Sequence, residues 1–140
     1  MNTARVSVGR LLEIRADAGY RTAAEVDALF DMRDQQLKRL PPDTQHVTVV
    51  DWRRCPLMSP EAAQRIAFRI GGTNGRTERS AALASQDAPV AVLQFLRVIR
   101  EANHPDRKLF YDQAELVAWL SELLLPSETQ RLRAFLSEGR

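Results

Sequence analysis

Residues 46–66 read HVTVVDWRRCPLMSPEAAQRI, and this stretch decides the fold. His46 to Trp52 is dense in β-branched side chains and bounded by turn formers, the pattern of a buried strand. A short loop through Arg53, Arg54 and Cys55 then leads to Met58-Ser59-Pro60-Glu61. Ser59 offers a hydroxyl at a helix N-cap, Pro60 suits the first helical position, and Glu61 suits the positive end of the helix dipole. Ala62, Ala63, Ile66, Ala67 and Ile70 follow on one helical face, and Gly71-Gly72 marks its end. A strand that feeds a helix through a short loop is the repeating unit of an α/β fold.

The flanking sequence repeats the unit. Arg5 to Ala16 alternates around Gly9, which predicts a strand or a tight hairpin. Thr22 with Glu25 has capping-box spacing ahead of Val26, Leu29, Phe30, Leu37 and Leu40, and Pro41-Pro42 stops that helix. Ser80 to Ala84 reads as a short buried strand. Ser85 or Asp87 is placed to cap the next helix, with Val92, Phe95, Leu96 and Ile99 as its stripe. His104-Pro105 ends it, and Lys108 to Tyr111 is a last strand. Asp112 with Glu115 forms a second capping box before Leu116, Leu120 and Leu123. Ser127 with Gln130 forms a third, in a terminal helix carrying Leu132, Phe135 and Leu136. Strands alternating with helices at this spacing predict one α/β domain with a mostly parallel sheet of four to five strands and about five helices. Residues 1–125 make up the domain, and residues 126–140 add a C-terminal helix packed on it.

Composition narrows the function classes. The 140 residues are 44% hydrophobic and 27% charged, ordinary for a globular chain and unlike a disordered one. No apolar run is long enough to span a membrane, and the N-terminus lacks a secretory pattern. Cys55 is the single cysteine, so no internal disulfide forms and a reducing, cytoplasmic setting is expected. Of the 20 basic residues only Lys38 and Lys108 are lysine, which raises phosphate or nucleic-acid recognition through arginine forks. The arginines are spread from Arg5 to Arg140 among 18 acids rather than gathered in a stripe, so a nucleic-acid partner is not expected.

The loop after His46–Trp52 is the place to look for a site, because α/β sheets meet their ligands beyond the carboxyl ends of the strands. A nucleophilic serine needs a base in reach. His46 starts the strand that ends at the loop and belongs at the opposite sheet edge, and His104 sits in a helix-ending turn. No Gly-x-Ser-x-Gly elbow is present. Cys55 beside Arg53 and Arg54 reads first as a small packed residue. Two histidines and one cysteine have no metal-ligand spacing, and no cofactor is implied. Gly71 to Gly75 follows a helix instead of a strand, the reverse of a phosphate loop. Trp52 and Trp119 lie on apolar patterns and read as packing residues.

GRLLEIRADAGYRT (9–22), VTVVDWRRCPLMSPEAA (47–63), RSAALAS (79–85), LQFLRVIREANHPDRKLFYD (93–112) and the AWL at 118–120 together resemble the STAS domain of bacterial anti-sigma-factor antagonists, closest to its SpoIIAA-like branch. In those antagonists a strand runs into a Met-Asp-Ser-Ser-Gly-like helix start, and a serine there is phosphorylated by a partner kinase. Matching Met58 to the family methionine sets Ser59 on the aspartate, Pro60-Glu61 on the two serines and Ala62 on the glycine. The phosphoacceptor is thus replaced, with Ser59 left as the alternative acceptor and Glu61 as a fixed negative charge.

The resemblance implies a non-catalytic interaction module of bacterial regulation, with a kinase-like or sigma-regulatory protein as partner. The implied surface is Arg53, Arg54, Met58, Ser59, Pro60 and Glu61 with the helix face of Arg65 and Arg69, facing an acidic partner. The same fold also resembles Sec14-type lipid carriers, which implies a small apolar or anionic ligand against the sheet with the terminal helix as a lid. Leu132, Phe135 and Leu136 offer a route to a homodimer. An enzyme is the reading with least support.

Overall fold

The computed structural model describes residues 1–139. Its elements are β1 (Asn2–Val6), β2 (Leu11–Ala16), α1 (Ala23–Leu37), β3 (His46–Asp51), α2 (Pro60–Gly71), β4 (Thr77–Leu83), α3 (Pro89–Ala102), β5 (Arg107–Phe110), α4 (Gln113–Ser121) and α5 (Pro126–Glu138), with one 3-10 turn at Asn74–Arg76. They form a single sheet in the order β1-β2-β3-β4-β5. β1 pairs antiparallel with β2, and the remaining pairs are parallel. The α/β class, the mostly parallel sheet and the five helices agree with the sequence reading.

Because the strand order never reverses, right-handed crossovers carry α1, α2 and α3 to the same face of the sheet. There Val26, Leu29 and Phe30 of α1, Ala62 and Ile66 of α2, and Val92, Phe95 and Val98 of α3 close over Leu12, Ile14, Val50 and Ala82. The opposite face belongs to α4 and α5, whose Leu116, Leu120, Leu132, Phe135 and Leu136 cover Leu11, Val47, Val49 and Leu83. β3 is therefore buried along its whole length, which its near-continuous apolar run requires.

Several local expectations change. The Arg5–Ala16 stretch is a hairpin, with Gly9 at φ +56 in the turn. The space over Gly9 is filled by the Glu128 carboxylate, which accepts from Arg10 N and Leu125 N, each at 2.8 Å. Glu128, not Ser127 or Gln130, therefore organises the start of α5 and ties it to the hairpin. Neither Ser85 nor Asp87 caps α3. Its N-cap is Ala88, and the Ser85 hydroxyl instead accepts from Asp87 N at 3.2 Å. Thr22 does cap α1, but the Glu25 carboxylate reaches back to Arg21 N rather than to Thr22. Leu96 of the expected α3 stripe lies exposed, and Val98 takes the inward place.

The terminal helix packs on the sheet beside α4. Leu132, Phe135 and Leu136 are spent on the intrachain core, so they offer no seam to a second copy. α5 also covers the face away from α1–α3, so it is no lid over that side of the sheet.

Candidate functional site

The loop between β3 and α2 is fastened at Trp52, Arg53, Cys55, Met58 and Ser59. Trp52 N donates to Leu83 O (2.9 Å) and Cys55 N to Trp52 O (3.1 Å). Trp52 stacks on Phe95 with ring centroids 4.5 Å apart. Met58 is buried, and its backbone is gripped from both sides by one side chain: Met58 N donates to Gln94 Oε1 (2.9 Å) and Gln94 Nε2 to Met58 O (2.8 Å). Ser59 caps α2 by accepting from Ala62 N at 3.1 Å and donates its own proton to Arg21 O at 2.8 Å. Glu61 accepts from Ala23 N at 3.1 Å, joining the starts of α2 and α1.

The arginines assigned to a partner surface are mostly engaged within the chain. Arg53 holds the buried Asp51 carboxylate through Nε and Nη2, each at 2.9 Å, and also donates to Leu136 O at 2.6 Å. Arg15 meets the same carboxylate at 3.2 Å and donates to Phe135 O. Burial works to raise the Asp51 carboxyl, but the bonds from Arg53 and Arg15 outweigh it and hold the group below its usual range. Arg65 reaches Asp27 at 2.7 Å. Arg69 spans Asp27 (2.8 Å), Asp31 (3.0 Å) and Asp34 (3.1 Å) on α1. Arg65 and Arg69 do share a face, and that face is the α1–α2 seam. Arg54 and Pro60 are left exposed.

Among the described residues no nucleophile in this region has a base within hydrogen-bond reach. Burial, helped by Asp17, pushes the Cys55 thiol up to about 12. His46 lies at the far end of β3, as its place in the strand predicted. It is buried there, its Nδ1 2.8 Å from Thr48 Oγ1 and its Nε2 3.2 Å from Thr77 Oγ1. Because Thr77 donates to Thr73 O at 2.8 Å, it accepts from Nε2–H, and Nδ1 accepts from Thr48. His46 is thus a neutral imidazole. Burial first, then the charges of Arg107, Arg33, Arg76 and Arg10, press its pKa down to about 3. His104 is tied as well, with Nε2 2.8 Å from Thr77 O. Among the described residues no group of three or more His, Cys, Asp or Glu side chains is arranged to hold a metal ion.

Two further features carry no motif. The first is a row on α3: Val90, Leu93 and Leu96, three residues apart, are 60%, 67% and 43% exposed, and Leu57, next to the Met58 that Gln94 of α3 holds, is 57% exposed. The second is a small cavity of about 30 Å³ between the sheet and α1–α3, with Arg33, His46, Thr48, Ser80 and Arg107 on its polar side. A helix with more apolar residues than one buried stripe needs, and polar residues at inward strand positions, are the sequence signs of these features.

Compared with known proteins, the chain matches no family model and no curated protein. Among solved structures it resembles an uncharacterized protein of the DUF3478 family with a SpoIIAA-like fold, from Shewanella loihica PV-4. The likeness has a TM-score of 0.57 at 19% identity and covers 86% of this chain and 95% of that one. The chain has the SpoIIAA-like, or STAS, fold. In this STAS fold the loop ending at Ser59 occupies the helix start after the central strand β3. Among the described residues no helix is long and apolar enough to cross a membrane.

Proposed function

We propose that this chain is a non-catalytic protein-interaction module of bacterial regulation, and that it meets its partner through α3 and the β3–α2 loop. The observation that carries the reading is the exposed row Val90, Leu93 and Leu96 together with Leu57. Contiguous apolar side chains left in water mark an interaction surface more often than isolated ones do. The Gln94–Met58 clamp fastens the loop that bears Leu57 to the helix that bears the row, so the surface is held ready-made. Arg100 on the same helix and Arg54 in the same loop as Leu57 lie exposed, while the exposed Arg97 is paired with Glu101 at 2.8 Å. Free cations such as Arg54 and Arg100 suit a partner with an acidic rim. A kinase-like or sigma-regulatory protein is the partner class in keeping with the STAS fold.

Ser59 enters this reading as a cap rather than a switch, because a phosphate there would remove the proton it donates to Arg21 O, the bond that ties the start of α2 to the segment before α1. The non-catalytic part rests on the lack of any nucleophile–base pair around the loop among the described residues. Arg65 and Arg69 make poor probes, since reversing them would set like charges against Asp27, Asp31 and Asp34.

The test is capture from a lysate of the source organism with wild type and with the double variant Leu93→Asp, Leu96→Asp. A kinase-like or sigma-regulatory protein retained by wild type and lost by the variant supports the reading. Equal capture by both, or capture by neither, sinks it.

A further inference from the structure

The two edges of the sheet are finished differently. At β1 the outward backbone is answered from α1 and the residues after it: Ala4 N donates to Met32 Sδ (3.4 Å), Val6 N to Gln36 Oε1 (3.0 Å), and Arg39 to Val6 O (3.2 Å). β5, at the other end of the strand order, has no such cover. Ser80 N donates to Asp106 O and Ala84 N to Phe110 O, each at 2.9 Å, so Asp106, Lys108 and Phe110 turn their backbone groups toward β4. Arg107, Leu109 and Tyr111 turn theirs outward. Arg107 N is spent on a long turn bond to His104 O (3.4 Å). Arg107 O, both groups of Leu109 and Tyr111 N are left without a hydrogen-bond partner among the described residues.

Apolar side chains flank this open edge on both faces of the sheet. Leu109 and Ile99 of α3 are partly buried against the core under α1–α3. Gln94 lines the groove between α3 and α2, and Leu96 lies about 200° round the helix from it, on the flank toward β5. On the other face Phe110 meets Trp119, with ring centroids 5.6 Å apart and both rings partly buried. Charge is patterned along the edge as well. Asp106 and Asp112 stand exposed at its two ends, and Lys108 lies between them with its Nζ 4.7 Å from the Trp119 ring centroid.

A second copy of the chain fits this edge poorly. Two β5 strands that exchange bonds symmetrically at Leu109 set Asp106 of each opposite Asp112 of the other, and like charges directly opposite destabilise a strand pair. We infer that β5 is a strand-addition site for an extended segment of a partner protein. The segment runs antiparallel to β5, with apolar residues opposite Phe110 and Leu109, an acid opposite Lys108 and basic residues opposite the two aspartates. Leu109 exchanges both of its backbone bonds with the central residue, and alternate side chains enter the Leu96–Ile99 and Phe110–Trp119 sides. This edge needs neither Leu57 nor Leu93, and its failure would leave the α3 surface untouched.

The experiment is an NMR titration of the full chain with the peptide acetyl-Lys-Thr-Phe-Ile-Glu-Thr-Lys-amide, together with amide hydrogen exchange. Wild type should show saturable shifts at the Leu109 and Tyr111 amides, and both amides should exchange more slowly in the complex. N-methylation of the peptide's isoleucine removes the donor to Leu109 O and should weaken binding about tenfold or more. Lys108→Glu should reverse the preference between this peptide and one with lysine in place of glutamate. Leu93→Asp should bind as wild type does; loss of binding there would assign the peptide to the α3 row and overturn the proposal. Equal binding of the N-methylated peptide, saturation without protection of the Leu109 amide, or no binding at millimolar peptide would also overturn it. Leu109→Pro removes only an outward N–H, which an edge strand tolerates. A wild-type dimer in sedimentation that this variant converts to a monomer would give the edge to a second copy and overturn the proposal too.

Discussion

On the face covered by α4 and α5, every buried acid is met: Glu13 and Asp51 by arginine side chains, and Glu128 by the backbone amides of Arg10 and Leu125. Glu13 accepts from Arg131 Nε and Nη2 at 2.9 and 2.8 Å, and Asp51 is shared by Arg15 and Arg53. The arginines spend their remaining donors on carbonyls of α5 and on Glu138. On the face covered by α1–α3, the half-buried Arg107 and the buried His46 meet only neutral partners, and no side-chain hydrogen bond engages the Ser80 hydroxyl among the described residues. The first face is a closed lock, in which charge pairs fix where the terminal helix lies. The second keeps polar groups in reserve beside a cavity, and it backs the helices whose outer side carries the exposed apolar row. Buried groups that satisfy one another specify structure, while buried groups left without a charged partner leave more freedom to the side chains around them.

Three measurements break or sharpen this contrast, the strongest first. Asp51→Ala strands two arginines on the locked face and should lower the unfolding free energy by about 3–5 kcal/mol in urea. A loss well under 1 kcal/mol would mean that the lock is not a lock.

The second concerns pH. The pKa of His46 falls from an ordinary 6.5 to about 3 on folding, so the unfolded chain binds the extra proton in acid. Its contribution is fully present above pH 6.5 and is lost as pH falls toward 3. Ordinary carboxylates titrate near the lower end of that window. His46→Gln should therefore flatten the decline in stability between about pH 6.5 and 4.5. An unchanged slope would show that the open face does not hold its histidine neutral.

The smallest effect is expected at Ser59, outside both cores. Ser59→Ala removes the α2 cap and the bond to Arg21 O and should cost about 0.5–2 kcal/mol. Wild-type stability in the variant would remove the capping role and reopen the question of a switch.

The HVTVVD run, the Ser59-Pro60 cap and the Gly9 hairpin were legible because each is a local matter of side-chain branching, backbone angle or a hydroxyl three residues from an amide. Where the caps differed, a distant residue had intervened. Glu128 outcompetes Ser127 at α5 because it answers the Arg10 amide of a turn 118 residues away. Leu96 was assigned inward on spacing, but the neighbouring Val98 fills that place. Arg65 and Arg69 were rightly set on one face, yet no spacing within α2 could reveal the three aspartates of α1 opposite them. The cavity was invisible for the same reason, since Arg33, His46, Ser80 and Arg107 come from four separate elements and share no motif.

The sequence by itself thus determined the class of fold, the order of elements and the cap at Ser59, because periodicity and capping act within a few residues. Only the tertiary structure decided which arginines are free, which face α5 covers, and which acids each arginine meets. Those depend on which side chains the crossovers bring together, and burial makes a charge valuable or costly only once its neighbours are known.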